Sequence, residues 1–189
     1  MVVHVSRKFA ASVAVFCTLL FASSALATSV LKVDVSTHLL DSTAVIHGVV
    51  GEASQGLDVE GGRPYTETRV RVDRVLWGSA PAEIVVRQPK GTVGDTHFGI
   101  SGDGDLRSGE TVVLFVSEVS GAYVLAALGQ SVYQVKGSGP QATIEQQLGG
   151  LVFFTRDERG AIVPLEKMTP GPKTVAEMEA ALKAETEGR

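Results

Sequence analysis

Along most of this chain the hydrophobic pattern has a period of two. In "STAVIHGVVGEA", from Ser42, Val45, His47 and Val49 share one side, while Ala44, Ile46, Gly48 and Val50 share the other. Small and β-branched residues in that arrangement predict a strand. "TETRVRVDRVLWG" alternates Thr68, Val70 and Val72 with Arg69, Arg71 and Asp73. One charged side means a half-exposed antiparallel strand. "IVVRQ" is a third strand. "TVVLFV" is apolar on both sides and predicts a central fourth. "YVLAAL" and "SVYQV" give a fifth and sixth, and "LVFFT" with "AIVPL" gives one more hairpin. "VDVSTHLLD", before the first strand, reads as a short helix or a lead-in.

Glycine and proline separate these elements. "SQGLDVEGGRPY" is a loop, and "PKGTVGDTHFGISGDGDLRSGE" is a long glycine-rich connection. The pattern changes after Pro170 and Pro172. Thr174 stands three residues before Glu177, the spacing of a capping box, and Val175, Met178, Ala181 and Leu182 then fall on one helical face. Many short strands with turn signals between them, and no βαβ alternation, predict a mainly β chain. The pattern suits a small barrel or sandwich; the expected fold is a small, mostly antiparallel, OB-like barrel with one C-terminal amphipathic helix that docks on it or frays.

The first residues follow a different logic. Arg7 and Lys8 precede an apolar run over residues 9–21, and Ala25-Leu26-Ala27 ends it with small residues. This is the composition of a secretory signal peptide. The run is shorter than the ~20 residues that span hydrocarbon. Cleavage after Ala27 is expected, leaving a barrel domain over residues 28–168 and a linker with the helix over residues 169–189. The single cysteine, Cys17, leaves with the signal, so disulfides and thiolate chemistry are excluded from the mature chain. An exported chain without disulfides suits a bacterial periplasm or the medium outside the cell.

Charge narrows the partners. The formal net charge is −4, and loss of Arg7 and Lys8 makes it more negative. No basic run is present, which argues against nucleic acid.

Templates for chemistry fail at named positions. A calcium loop begun at Asp103 finds Asp105 at its third position but Arg107 at its fifth, Ser108 at its sixth and Leu114 at its twelfth. Gly94 and Gly99 have phosphate-loop spacing, but Ile100 and Ser101 follow where Lys and Ser or Thr belong. "GISGD" and "KGSGP" miss the serine-hydrolase elbow. His38, His47 and His97 have no local pairing of the kind zinc uses. No catalytic residues, metal or cofactor are therefore expected. A hydrolase built on His47 or His97 remains an alternative, as does a structural role in the envelope. Surface recognition is the leading expectation, with a protein as partner. Trp77, at a strand end, is a candidate contact or else a cap on one end of the barrel. His97, Phe98, Asp103, Asp105 and Arg107, on the glycine-rich connection, are the other candidates. The Arg69, Arg71 and Arg74 row is the solvent side of a strand.

Taken together, "STAVIHGVV", "YTETRVRVDRVLWGSAPAEIVVRQPKGTVGD", "LRSGETVVLFV" and "YVLAALGQSVYQV" resemble a group of exported bacterial proteins. That group pairs a "V-x-x-V-L-x-G" strand with a glycine-rich connection and a "GE-x-x-x-LF" strand. The resemblance covers roughly residues 42–135. It implies a five-stranded OB-type barrel like that of netrin-like modules and tissue inhibitors of metalloproteases, and so a protease as one possible partner. Those inhibitors use an N-terminal cysteine on the protease zinc. Here the start would be Thr28-Ser29-Val30, so the resemblance carries the barrel and not that mechanism. Where the group writes Gly-Gly, this chain has Lys90-Gly91 and Gly94-Asp95.

Overall fold

The structure is a computed structural model that describes residues 27–58 and 61–188. The expected signal segment, apart from Ala27, lies outside the described residues. Twelve strands and two helices follow. They are β1 (Thr28–Leu31), α1 (Val35–Leu40), β2 (Ala44–Leu57), β3 (Pro64–Gly78), β4 (Glu83–Gln88), β5 (Gly91–Val93), β6 (Thr96–Phe98), β7 (Thr111–Val119), β8 (Ala122–Leu125), β9 (Val132–Lys136), β10 (Thr143–Gln146), β11 (Leu151–Arg156), β12 (Ile162–Pro164) and α2 (Val175–Glu187). The chain is mainly β with a C-terminal helix, as its pattern predicts.

Five strands form a ring. β2 pairs antiparallel with β3 and β7, β3 with β4, and β7 with β8. The ring closes through one parallel pair, Val86 of β4 with Tyr123 of β8. In order of appearance the five strands therefore neighbour one another as first, second, third, fifth and fourth, with the fourth back against the first. That connectivity makes the barrel OB-like, and its single-pair closure leaves it partly open. β9 and β10 extend the sheet beyond β7, and β1, β11 and β12 form a separate three-stranded sheet.

Period two sorts the strands into two cores. Ala44, Ile46, Val50, Val70, Ile84, Val86, Val112, Leu114 and Val116 fill the barrel. Val45, Val113 and Phe115 point the other way. They meet Leu39 of α1, Val175, Met178 and Leu182 of α2, and Tyr133. β7 is buried on both sides, as expected of a central strand. Fully burying one such aliphatic side chain contributes about 1.5–3 kcal/mol.

The two helices start where their caps dictate. The Asp34 carboxylate accepts from the Thr37 amide at 2.9 Å. Thr174 Oγ1 accepts from the Glu177 amide at 3.1 Å, while the Glu177 carboxylate reaches past the cap to the Lys173 amide at 2.8 Å. Gly48 is required by packing, because a Cβ there would stand 2.3 Å from the Arg71 carbonyl oxygen. Among the described residues no helix is long and apolar enough to cross a membrane.

Candidate functional site

The long β2–β3 hairpin sets two ends of the barrel far apart. Trp77 pairs with Val45 near one end, and Tyr65 pairs with Gly56 near the other. Trp77 is half-buried and packs, with Leu76, against the core beneath α2. It therefore covers the helix-side core rather than the interior of the barrel.

The other expected contacts gather at the Tyr65 end. The connection between β4 and β7, expected to be loop throughout, folds a small hairpin, β5–β6, over the face of β2 and β3. Thr66 Oγ1 donates to the Lys90 carbonyl at 2.6 Å, and the Thr92 amide donates to Gln55 Oε1 at 3.0 Å. Gly94 turns the hairpin at φ +58°, a conformation glycine adopts without cost. His97 is exposed, with Nδ1 2.9 Å from Thr92 Oγ1.

The stretch 99–110 that follows is pinned. Gln147 acts as a surrogate strand: its Oε1 accepts from the Asp105 amide at 2.7 Å, and its Nε2 donates to the Asp105 carbonyl at 2.9 Å. Gln88 Nε2 donates to the Asp103 carboxylate at 3.0 Å and to the Gly104 carbonyl at 2.7 Å. The Lys90 ammonium sits among the same oxygens, 2.7 Å from the Gly104 carbonyl, 3.4 Å from Asp105 and 4.0 Å from Asp103. Asp103 therefore points inward, its side chain only 4% exposed. Burial pushes its carboxyl above the usual value, opposed by Lys90 and Gln88. Asp105 and Arg107 are exposed and pair with each other at 3.3 Å.

Two adjoining clefts open beside this platform, with Phe98 lining both. One, of about 530 Å³, has Pro64, Tyr65, Pro89, Phe98, Ile100 and Val124 as apolar walls and Asp58, Arg63 and Arg87 as polar ones. The Arg63 guanidinium lies 5.6 Å from the Phe98 ring centre, and that of Arg87 lies 4.7 Å from Tyr65. Arg87 is held by Glu67 at 2.5 Å, whereas Arg63 makes no ion pair among the described residues. The other cleft, of about 470 Å³, is bordered by His97, Asp105, Leu106 and Arg107. Both volumes fall in the range of binding clefts. A third cavity, of about 490 Å³ between α1 and α2, offers less, because Lys32 already bonds the Val33 carbonyl and Asp34 caps α1.

No family model, curated protein or solved structure matches this chain.

The structure brings His97, Phe98, Asp105 and Arg107 to one mouth, with Asp103 beneath them and Trp77 apart. His47 lies on the outer face of β2, 3.9 Å from Asp73, with burial and Arg74 holding its pKa below the usual value. His47 and His97 thus belong to different parts of the molecule. Among the described residues no three His, Cys, Asp or Glu side chains converge as metal ligands would. Sequence reasoning missed Arg63, Tyr65 and Arg87. Tyr65 and Arg87 alternate correctly on their strands, but only the β3–β4 register, with Glu67 opposite Arg87, puts Arg87 beside the ring of Tyr65.

Proposed function

We propose that this protein is a binding module, without catalysis of its own, whose barrel mouth recognises another protein. The observation that carries the reading is the wide cleft at the β2–β3 tip. Its walls are mainly apolar and aromatic, its rim carries Arg63, which makes no ion pair among the described residues, and a pinned loop holds the platform in place. Such a surface combines the aromatic and arginine groups that dominate protein interfaces. A sugar platform is less well matched, since each aromatic ring of the cleft already has a guanidinium over it.

Export is part of the reading. Thr28, the residue expected to follow the cleavage site, is the first residue of β1, and its amide donates to the Gly150 carbonyl at 2.9 Å. Cleavage after Ala27 would keep every described element. A protease remains one candidate partner through the resemblance to inhibitor-like barrels.

The test is site-specific photocrosslinking in the native envelope fraction and medium. A photoreactive residue at Phe98 or Ile100 should trap a partner that the same residue at Glu145, on β10, does not. Equal trapping at both places, or none at the mouth, overturns the reading.

A further inference from the structure

Most sheet edges in this fold are covered or very short. β10 is bridged by the segment before α2, with the Ile144 amide donating to the Lys173 carbonyl and Thr143 bridged to Thr174. β1 and β12 are only four and three residues long. β2 differs. Its pairing with β7 stops at Val49, and the last bonds on that side join Val50 to Glu110 and Gly109. Beyond them, residues 53–57 continue to pair with β3 alone.

The direction of the remaining backbone groups follows from alternation. The Asp58 amide donates to the Arg63 carbonyl, so that pair is hydrogen-bonded across the hairpin. Alternation along an antiparallel ladder makes Gly56 with Tyr65 and Ser54 with Glu67 bonded pairs too. Ala53, Gln55 and Leu57 then turn both amide and carbonyl away from β3. Pro64, opposite Leu57, fits this scheme, because its missing N–H falls outside the β2–β3 ladder. The β5–β6 hairpin covers the face of these residues through Gln55, and among the described residues nothing bonds the outward backbone groups of this edge. No proline or lysine blunts it, the usual protections of an exposed edge.

We infer that this edge of β2 takes an extended segment of the partner as an added strand; the inference rests on the protein-binding reading above. An added strand would set alternate side chains on two faces. One face opens on the mouth, where Gln55 borders the cleft of Phe98, Leu106 and His97. The other opens on a small cleft of about 240 Å³ lined by Glu52, Ser54, Glu67 and Arg69. Glu52, exposed at the start of the edge, makes no ion pair among the described residues, whereas Glu67 and Arg69 are already paired. The segment that fits is apolar toward the mouth, polar on the alternate positions, and basic at the end beside Glu52.

The probes are immobilised synthetic hexapeptides alternating Val and Thr, with Lys or Glu at one end. Lys-ended peptides should bind, and the amide hydrogens of Ala53, Gln55 and Leu57 should exchange at least about tenfold more slowly in their presence. N-methylation of alternate peptide amides should abolish binding in one register and leave it intact in the other. Glu52→Lys should reverse the preference to Glu-ended peptides. Absence of peptide binding, or binding that leaves those three amides unprotected, overturns strand addition. Partner crosslinking at Phe98 with the edge amides unprotected removes strand addition alone and leaves recognition at the mouth standing.

Discussion

The side-chain amide of Gln88, the last residue of β4, donates to the inward carboxylate of Asp103 at 3.0 Å. Gln88 is 1% exposed, so the pair forms with almost no water around it. Replacing Gln88 by Leu removes both of its bonds to the loop and leaves the buried carboxylate only Lys90 and the Gly104 amide. Hydrogen bonds to charged groups contribute about 1.5–3 kcal/mol, and Gln88→Leu should lose stability of that order in urea unfolding. Amide exchange at residues 103–105 should accelerate with it. An unchanged exchange pattern would show that Gln88 does not hold the loop.

Asp103 also gives the fold a pH dependence of known sign. Its folded pKa lies above the ordinary 3.8 because burial disfavours the charge. The folded state then holds the proton more tightly than the unfolded chain. Its contribution is fully present below 3.8 and is lost as pH rises through the folded value. Compared with Asp103→Asn, the wild type should gain relative stability as pH falls from neutral toward 4. Urea midpoints of the two proteins across that range give the comparison, and parallel curves would refute the assignment.

His38 acts in the opposite direction. It is 1% exposed, its ring lies tilted against Phe115 with centroids 4.8 Å apart, and neither ring nitrogen has a hydrogen-bond partner among the described residues. Burial, then the nearby Lys32, lowers its pKa from 6.5 to about 4. Stability from the neutral ring is present above 6.5 and is lost as pH falls toward about 4. At pH 5 the loss should be about 2 kcal/mol. His38→Phe should remove this acid sensitivity, read as a flatter pH profile of the unfolding midpoint. A profile as steep as the wild type's would place the titrating group elsewhere.

Trp77 and Phe98 should separate stability from recognition. Trp77 packs on the core under α2, so Trp77→Ala should cost about 2 kcal/mol while leaving crosslinking at the mouth unchanged. Phe98, half-buried between two clefts, should do the reverse: Phe98→Ala loses partner capture with little change in the urea midpoint. The opposite result would move the recognition surface to the Trp77 end.

The cap of α2 offers a smaller test. Thr174→Ala removes the bond to the Glu177 amide and should cost about 1 kcal/mol. Helical amides near Val175 should exchange faster. Equal exchange in the two proteins would mean that packing of Met178 and Leu182 alone fixes the helix start.

How much of this was legible beforehand depended on range. The alternation of Thr68, Val70 and Val72 with Arg69 and Arg71 is a local signal, and β3 formed where that signal lies. The apolar run of β7 likewise declared a strand buried on both sides. β10, "TIEQ", carries only one apolar residue, Ile144, which is buried in the helix-side core, so its position is set mainly by pairing with β9 and by the Lys173 carbonyl. The β5–β6 hairpin was hidden for the same reason: its anchors are the side chains of Gln55 and Thr66, distant in sequence. At the mouth, His97, Phe98, Asp105 and Arg107 could be picked from one polar, glycine-rich stretch. That Asp103 turns inward could not, since its partner Gln88 reads as an ordinary strand end. Arg63 and Tyr65 became relevant only when the hairpin brought them against Phe98.

β7 belongs to both cores, with Val112, Leu114 and Val116 in the barrel and Val113 and Phe115 beneath the helices. This has a consequence for how the molecule assembles. The β2–β3 hairpin joins near neighbours in sequence and can form early, but neither hydrophobic compartment is complete until β7 arrives across the long connection. Once it is in place, β8 can close the ring on one side of it and α2 can cover the other. The barrel and its helical cover should therefore melt as one cooperative unit, and damage to this single strand should propagate to both.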